Sequence, residues 1–292
     1  MTIKSKLWLI LGGSGQLGKS LQIQLLNNHT KFVAPSSKDL DIRDFQETRS
    51  YILSLKPVVV INCAGWTDVV RAESFQTEAN FLNGRAVHNL ISACKEISST
   101  LAHISTDYVF SGSKSSPYLV DDIVDPINAY GKSKVMGERF ILESKAEKFY
   151  IFRTAWLYSE FGVNFVKKII LKQKSGQSHI KVVNDQFGNP TSASDLASQI
   201  IRSVELNIPY GIYHAVNTGM ASWYDLAIKT LEFSGKDSSV IQPIDSKEYL
   251  SEVHRPIDTS LDTSQWLSLD IPAMRSWEEA LSFEVPRIIQ SM

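Results

Sequence analysis

The stretch Leu7-Trp8-Leu9-Ile10-Leu11-Gly12-Gly13-Ser14-Gly15-Gln16-Leu17-Gly18 decides how the rest of the chain is read. Its first five residues are apolar without alternation, the pattern of a strand buried on both faces. Glycines follow at 12, 15 and 18, and an amphipathic helical pattern runs on to residue 27. A strand, a glycine turn and a helix in direct succession form the context in which such a turn binds a dinucleotide pyrophosphate. Glycine removes the Cβ that would hold phosphates away, and the helix start offers unpaired N–H groups and a positive dipole end. Gly12, Gly15, Gln16, Leu17 and Gly18 are therefore the expected phosphate-side residues.

Outward from this unit the alternation continues. Apolar runs at 31–34, 58–61, 101–105 and 149–153 predict further strands, and 44–55, 73–97 and 128–143 predict helices. Asp44 with Glu47 predicts a capping box at the start of the 44–55 helix. Continuous β-branched strands alternating with helices predict an α/β fold, a doubly wound parallel (Rossmann) sheet, over 1–155. Beyond residue 155 helical patterns at 164–174, 193–205 and 222–233 are separated by polar loops and short strand candidates at 180–183 and 211–215. These predict a smaller C-terminal substrate-binding lobe over 156–292, with room for some later segments to return to the first domain.

Composition excludes several classes of partner. Thirty basic and 31 acidic residues among 292 leave a net charge of −1, without the basic excess of a nucleic-acid binder. The two cysteines, Cys63 and Cys94, lack zinc or disulfide spacing, and the six histidines are scattered, so no metal site is expected. Five apolar residues at the N-terminus are too few for a secretion signal or a membrane span. The expectation is a soluble cytoplasmic protein, monomeric or homodimeric, bound to neither nucleic acid nor membrane.

An NAD site places an acidic residue at the end of the second strand to bond the ribose 2′-hydroxyl. Here that strand runs into Pro35-Ser36-Ser37-Lys38. Two hydroxyls and an ammonium suit a 2′-phosphate, so NADPH is the expected cofactor, with NADH as the alternative. Asp41 and Ile42 are expected beside the adenine, and Cys63, Ala64 and Gly65 beside the riboses.

Tyr130 and Lys134 lie four residues apart at the start of a helix, hence on one face. A neighbouring ammonium, together with the positive nicotinamide ring, is expected to favour the phenolate, lower the phenol's pKa and fit it for acid–base work. The 101–105 strand ends in Thr106, Asp107 and Tyr108, where a hydroxyl can bond a substrate carbonyl. Thr106, Tyr130 and Lys134 are the catalytic candidates.

With these residues in place, the chain resembles the extended short-chain dehydrogenase/reductases, and within them the dTDP-4-dehydrorhamnose reductase family, over nearly its full length. The motifs are GGSGQLG (12–18), INCAGWT (61–67), STDYVFSG (105–112) and YGKSKVMGE (130–138), followed by FRTAWLY (152–158), VVNDQFGNPT (182–191) and RPIDTSLDTSQ (255–265). The resemblance implies reduction of the 4-keto group of a nucleotide-linked 6-deoxyhexose. Tyr130 would give the proton, Lys134 would tune it, and Thr106 would hold the carbonyl oxygen. Asp107, Tyr108, Trp156 and Arg255 would contact substrate, Trp156 packing on the sugar and Arg255 meeting the diphosphate. Two stretches depart from the family pattern: Val70 stands where an aspartate is usual, and Arg-Pro-x-Asn-Ser has become Arg255-Pro256-Ile257-Asp258-Thr259, with Asp258 and Thr259 for asparagine and serine. Ser20 replaces a glutamate that in some relatives helps hold a magnesium ion bridging a dimer. Two alternatives stand beside this reading: a ketoreductase or epimerase acting on another sugar, and a non-catalytic NADP-binding regulatory subunit.

Overall fold

The structure, a computed structural model, describes residues 6–249 and 252–292. Six parallel strands form the central sheet in the order β10-β5-β4-β3-β1-β2. They are β1 (Trp8–Leu11), β2 (Phe32–Val33), β3 (Val59–Asn62), β4 (Thr100–Thr106), β5 (Phe149–Thr154) and β10 (Gly211–His214). β1 and β3 pair in register from Trp8↔Val59 to Leu11↔Asn62. The chain leaves β1 toward β2 on one side and returns to β3 on the other, which makes the carboxyl ends of β1 and β3 the switch point where open sheets bind ligands. Every residue of β1 and β3 is buried, as the unbroken apolar runs require.

Helices cover both faces. α1 (Gln16–Asn27) and α8 (Ala193–Glu205) close one side over a core that includes Ile10, Leu21, Phe152 and Ile200. α2 (Phe45–Leu55), α5 (Ala86–Glu96) and α6 (Ala129–Glu143) close the other over Leu9, Val60, Leu90 and Ile151. At α2, Asp44 accepts the N–H of Glu47 at 2.8 Å, while its own N–H goes to Asp41 O. Half of the expected capping box forms, because a neighbouring turn already satisfies the other donor.

Two expectations change. The strand at 211–215 belongs to the central sheet and not to the second lobe: Ile212 and Tyr213 pair with Ile151 and Phe152. α8 returns with it, and Gln24 donates to Ser194 O at 2.7 Å. Both fall in the range expected of the C-terminal lobe, among the later segments with room to return to the first domain, and the parallel edge strand completes the sheet. The single helix expected over 73–97 is broken into α3 (Val69–Ser74), α4 (Gln76–Asn80), a π-helical turn (Phe81–Arg85) and α5. The break follows from close contact with α6: a Cβ on Gly84 would lie 2.4 Å from Met136 Sδ. One extra residue in the turn also swings Asn83 inward, the usual use of a π-bulge near a site.

The second lobe is built from α7 (Phe165–Lys174), α9 (Trp223–Phe233) and α10 (Trp277–Gln290) around small strand pairs. β6 (Leu157–Tyr158) pairs with β9 (Thr191–Ser192), and β7 (Ile180–Val183) with β12 (Ile241–Ile244). β8 (Phe187–Gly188) pairs with β11 (Ala221–Ser222). Among the described residues no helix is long and apolar enough to cross a membrane.

Candidate active site

The carboxyl ends of β1, β3, β4 and β5 open onto two adjoining cavities of about 500 and 300 Å³, which share Gly15, Cys63, Ala64 and Gly65. Gly12 turns with φ +76°, and a Cβ there would sit 2.5 Å from the Ala64 nitrogen. At Gly18 a Cβ would lie 2.4 Å from Gly12 O. At Gly12 and Gly18 the turn is thus packed too closely for a side chain, and it leads straight into the start of α1. Such a cradle, opening on an elongated double cavity, fits a dinucleotide.

The smaller cavity is walled by Gly12, Ser37, Asp41 and Ile42, together with Arg43. Ser36 and Lys38 line neither cavity, contrary to expectation. The Ser36 hydroxyl donates to Asp39 Oδ2 at 2.6 Å and closes its own turn, and Lys38 is exposed. Arg43 lines the smaller cavity. Its guanidinium binds Asp41 in a two-pronged pair at 2.6–3.0 Å, which lowers the Asp41 pKa. A basic residue two positions after Asp41 was the available signal.

The larger cavity gathers Gln16, Leu17, Gly18, Thr106, Asp107, Tyr130, Lys134 and Trp156. Asn128 caps α6 by accepting the Gly131 N–H, which fixes where Tyr130 and Lys134 start their helix face. Lys134 is buried and donates to Ile104 O at 2.6 Å, with His103 Nε2 3.5 Å away. Burial pushes Lys134 down to about 8, against the raising effect of Glu138. Asn62 Oδ1 accepts the Ala64 N–H, so its Nδ2 must donate to His103 Nδ1, at 3.1 Å. His103 is held neutral behind the lysine, its pKa lowered by burial and by Lys134. Desolvation also pushes the Cys63 thiol up to about 12, so it stays protonated.

Burial raises the Tyr130 pKa to about 12, and the bond with Thr106 lowers it by less. The Lys134 ammonium is turned to Ile104 O, and in the protein alone the phenol keeps its proton at neutral pH. Thr106 caps the short turn after β4 by accepting the Tyr108 N–H, and it donates to Asp107 Oδ1 at 2.9 Å. Thr259 from the second lobe donates to Asp107 Oδ2 at 2.5 Å. Burial raises Asp107 to about 6, against the lowering effect of both threonines. The Tyr108 ring stands edge-on to Tyr130, 5.9 Å between centroids, and Arg255 donates to Tyr108. Arg255 lines neither cavity and reaches the site through that tyrosine.

Sequence reasoning missed Asn83, Gln16's second task and the buried pair behind the site. Asn83 accepts the Trp66 N–H at 2.8 Å and donates to Trp66 O and Ser133, fixing the loop over the cavity. Gln16 bonds Leu157 O, Ser159 and Asn164, which ties the glycine turn to the second lobe. Glu138 accepts from Ser105 and from Arg153, one residue before Thr106 and one turn beyond Lys134.

The family described as RmlD substrate binding domain matches residues 6–288. The chain belongs to this family. It is 38% identical over 285 residues to a dTDP-4-dehydrorhamnose reductase of Streptomyces griseus, covering 96% of this chain and 93% of that one. It is 36% identical to a dTDP-4-keto-6-deoxy-D-glucose reductase of Streptomyces niveus, with 96% of each chain covered. The crystal structure of the Bacillus anthracis dTDP-4-dehydrorhamnose reductase in complex with NADP superposes with a TM-score of 0.91 at 33% identity, covering 96% and 98% of the two chains. Within the RmlD family pattern, the two departures fall outside the larger cavity. Val70 is exposed on the first turn of α3, and the Asp258 carboxylate accepts from Ser260 in its own turn.

Proposed function

We propose that the chain is an NADPH-dependent reductase of the 4-keto group of a dTDP-linked 6-deoxyhexose, with dTDP-4-dehydro-L-rhamnose the first substrate to test. Family membership over residues 6–288 gives the class, and the observation that carries the reading is the Thr106–Tyr130–Lys134 cluster at the end of a dinucleotide-sized cavity. The glycine turn would hold the pyrophosphate, and Arg43 with Ser37 the adenosine end and its 2′-phosphate. When bound, the reduced nicotinamide supplies a hydride.

Tyr130, protonated at neutral pH, donates its proton to the oxygen that becomes the C4 hydroxyl. Thr106 bonds the same oxygen when its hydrogen turns away from Asp107, whose second oxygen stays satisfied by Thr259. Lys134 places a positive charge beneath this group, which favours the phenolate left behind. Trp156 lines the sugar end, and Arg255 holds Tyr108 against Tyr130. Residues of 156–292 outside α8 and β10 act as the substrate-binding lobe. The reaction is placed in the cytoplasm, where NADPH and nucleotide sugars are made, and the protein is read as a monomer or homodimer.

The test follows NADPH absorbance with purified protein and dTDP-4-dehydro-L-rhamnose. Wild type oxidises NADPH, and Tyr130→Phe is slower by on the order of 10²–10⁴-fold while still binding NADPH. NADPH binding without turnover by wild type refutes this substrate.

A further inference from the structure

Trp156 is held in an unusual way. It follows β5 at a sharp bend with φ +44°, the left-handed region that a bulky residue rarely adopts. Its carbonyl accepts the Thr191 N–H at 3.2 Å, which fixes the bend against β9. The indole stacks face to face on Trp223, with centroids 3.5 Å apart and planes 6° off parallel. Phe165 supports Trp223 from the side at 4.7 Å. The nitrogen-bearing edge of the Trp156 indole rests on Gly188, where a Cβ would lie 2.7–3.0 Å from Cε2, Nε1 and Cζ2.

These two supports come from one place. Gly188 ends β8, Trp223 begins α9 directly after β11, and β8 and β11 pair through Ala221↔Gly188. Phe187 also bridges to Asp258, and Thr259 donates its N–H to Phe187 O. The small sheet that grips Trp156 therefore also presents Thr259 to Asp107. A strained backbone, a stacked ring and a glycine without spare space together leave the indole one orientation at the cavity wall.

We propose that Trp223 and Gly188 are positioning residues that set the tilt of the Trp156 indole, and through it the recognition of the sugar ring of the nucleotide-sugar substrate. This rests on the proposed function, in which Trp156 lines the sugar end of the cavity. Neither residue touches the reacting atoms. Their effect falls on sugar binding, while the nucleotide and cofactor ends, built from other elements, are unaffected.

The experiment uses the full chain with Trp223→Leu, Trp223→Phe and Gly188→Ala. Two stacked indoles couple their transitions, so wild type gives a paired circular-dichroism band from Trp156 and Trp223. That band is lost in both Trp223 variants and altered in Gly188→Ala. In Trp223→Leu and Gly188→Ala, KM for dTDP-4-dehydro-L-rhamnose rises on the order of tenfold or more, with KM for NADPH and binding of dTDP alone unchanged. Trp223→Phe, which keeps a flat ring, recovers most of the sugar KM. An unchanged band in Gly188→Ala overturns the proposal, as does an unchanged sugar KM in Trp223→Leu with its band gone. A rise in both KM values together overturns it as well, since that marks general damage. Wild type that binds NADPH but reduces no 4-keto sugar refutes the proposed function instead, and the band in Gly188→Ala still decides how the indole is held.

Discussion

Replacing Glu138 by Leu is expected to unfold the protein more easily and to disturb the site, both for one reason. Glu138 and Arg153 are 3% exposed each and form a two-pronged pair, Nε to Oε1 at 3.0 Å and Nη2 to Oε2 at 2.8 Å. Leucine leaves the guanidinium buried with Val120 O as its remaining hydrogen-bond acceptor, beside the Phe110 ring at 5.0 Å. Breaking a buried pair from one side costs about 3–5 kcal/mol, because the other charge stays desolvated without compensation. With the unfolding entropy typical of a chain this long, that lowers Tm by about 5–8 °C. Replacing both partners, Glu138→Leu with Arg153→Met, removes the stranded charge and recovers most of the loss. The assay is urea unfolding followed by tryptophan fluorescence, for both single variants and the double. The site reports the same event: Ser105 loses its acceptor next to Thr106, and Lys134 loses the carboxylate that raises its pKa. A cost below about 1 kcal/mol for Glu138→Leu, the range of an exposed pair, or a double variant no more stable than the singles, refutes the reasoning.

Three further outcomes are expected. Lys134 titrates near 8 in the folded chain and near its usual 10.5 when unfolded. Its ammonium is therefore lost as pH rises through about 8, and kcat/KM for the reduction falls there. Between about 8 and 10.5 the unfolded chain binds the extra proton, so this residue makes folding stability rise with pH. Urea midpoints on either side of that window, compared with Lys134→Met, test the sign. Gly12→Ala forces a Cβ to 2.5 Å from the Ala64 nitrogen at φ +76°. It costs about 1–3 kcal/mol of backbone strain and weakens NADPH binding in a fluorescence titration. Arg43→Ala removes a charge-assisted bond worth about 1.5–3 kcal/mol. It raises KM for NADPH by about 10–100-fold and leaves KM for NADH unmoved, which steady-state kinetics with each cofactor reads directly.

The sequence by itself determined the first half of the sheet, the glycine turn and the Tyr130–Lys134 pair. These are local: the unbroken apolar run at Leu7–Leu11 and the glycine spacing of 12–18 depend on near neighbours only. Ser36 and Lys38 read as cofactor residues because they follow β2, yet a serine hydroxyl that closes a turn on Asp39 is not free for a phosphate. β10 was legible as a strand but not as the sixth strand of the main sheet, since register with β5 is a contact across about sixty residues of chain. The broken helix at 69–96 was equally hidden, because it bends to meet Met136 and Gly137 of α6. Burial is the largest cause of the site's electrostatics: Tyr130 rises to about 12 and Lys134 falls to about 8 chiefly because both are taken out of water. The supports of the site, Asn83 under Trp66, Thr259 under Asp107 and Trp223 under Trp156, join residues far apart in sequence, and no single motif contains both members of a pair. Side-chain partners across such separations exist only once packing brings them together, so tertiary structure was needed to find them.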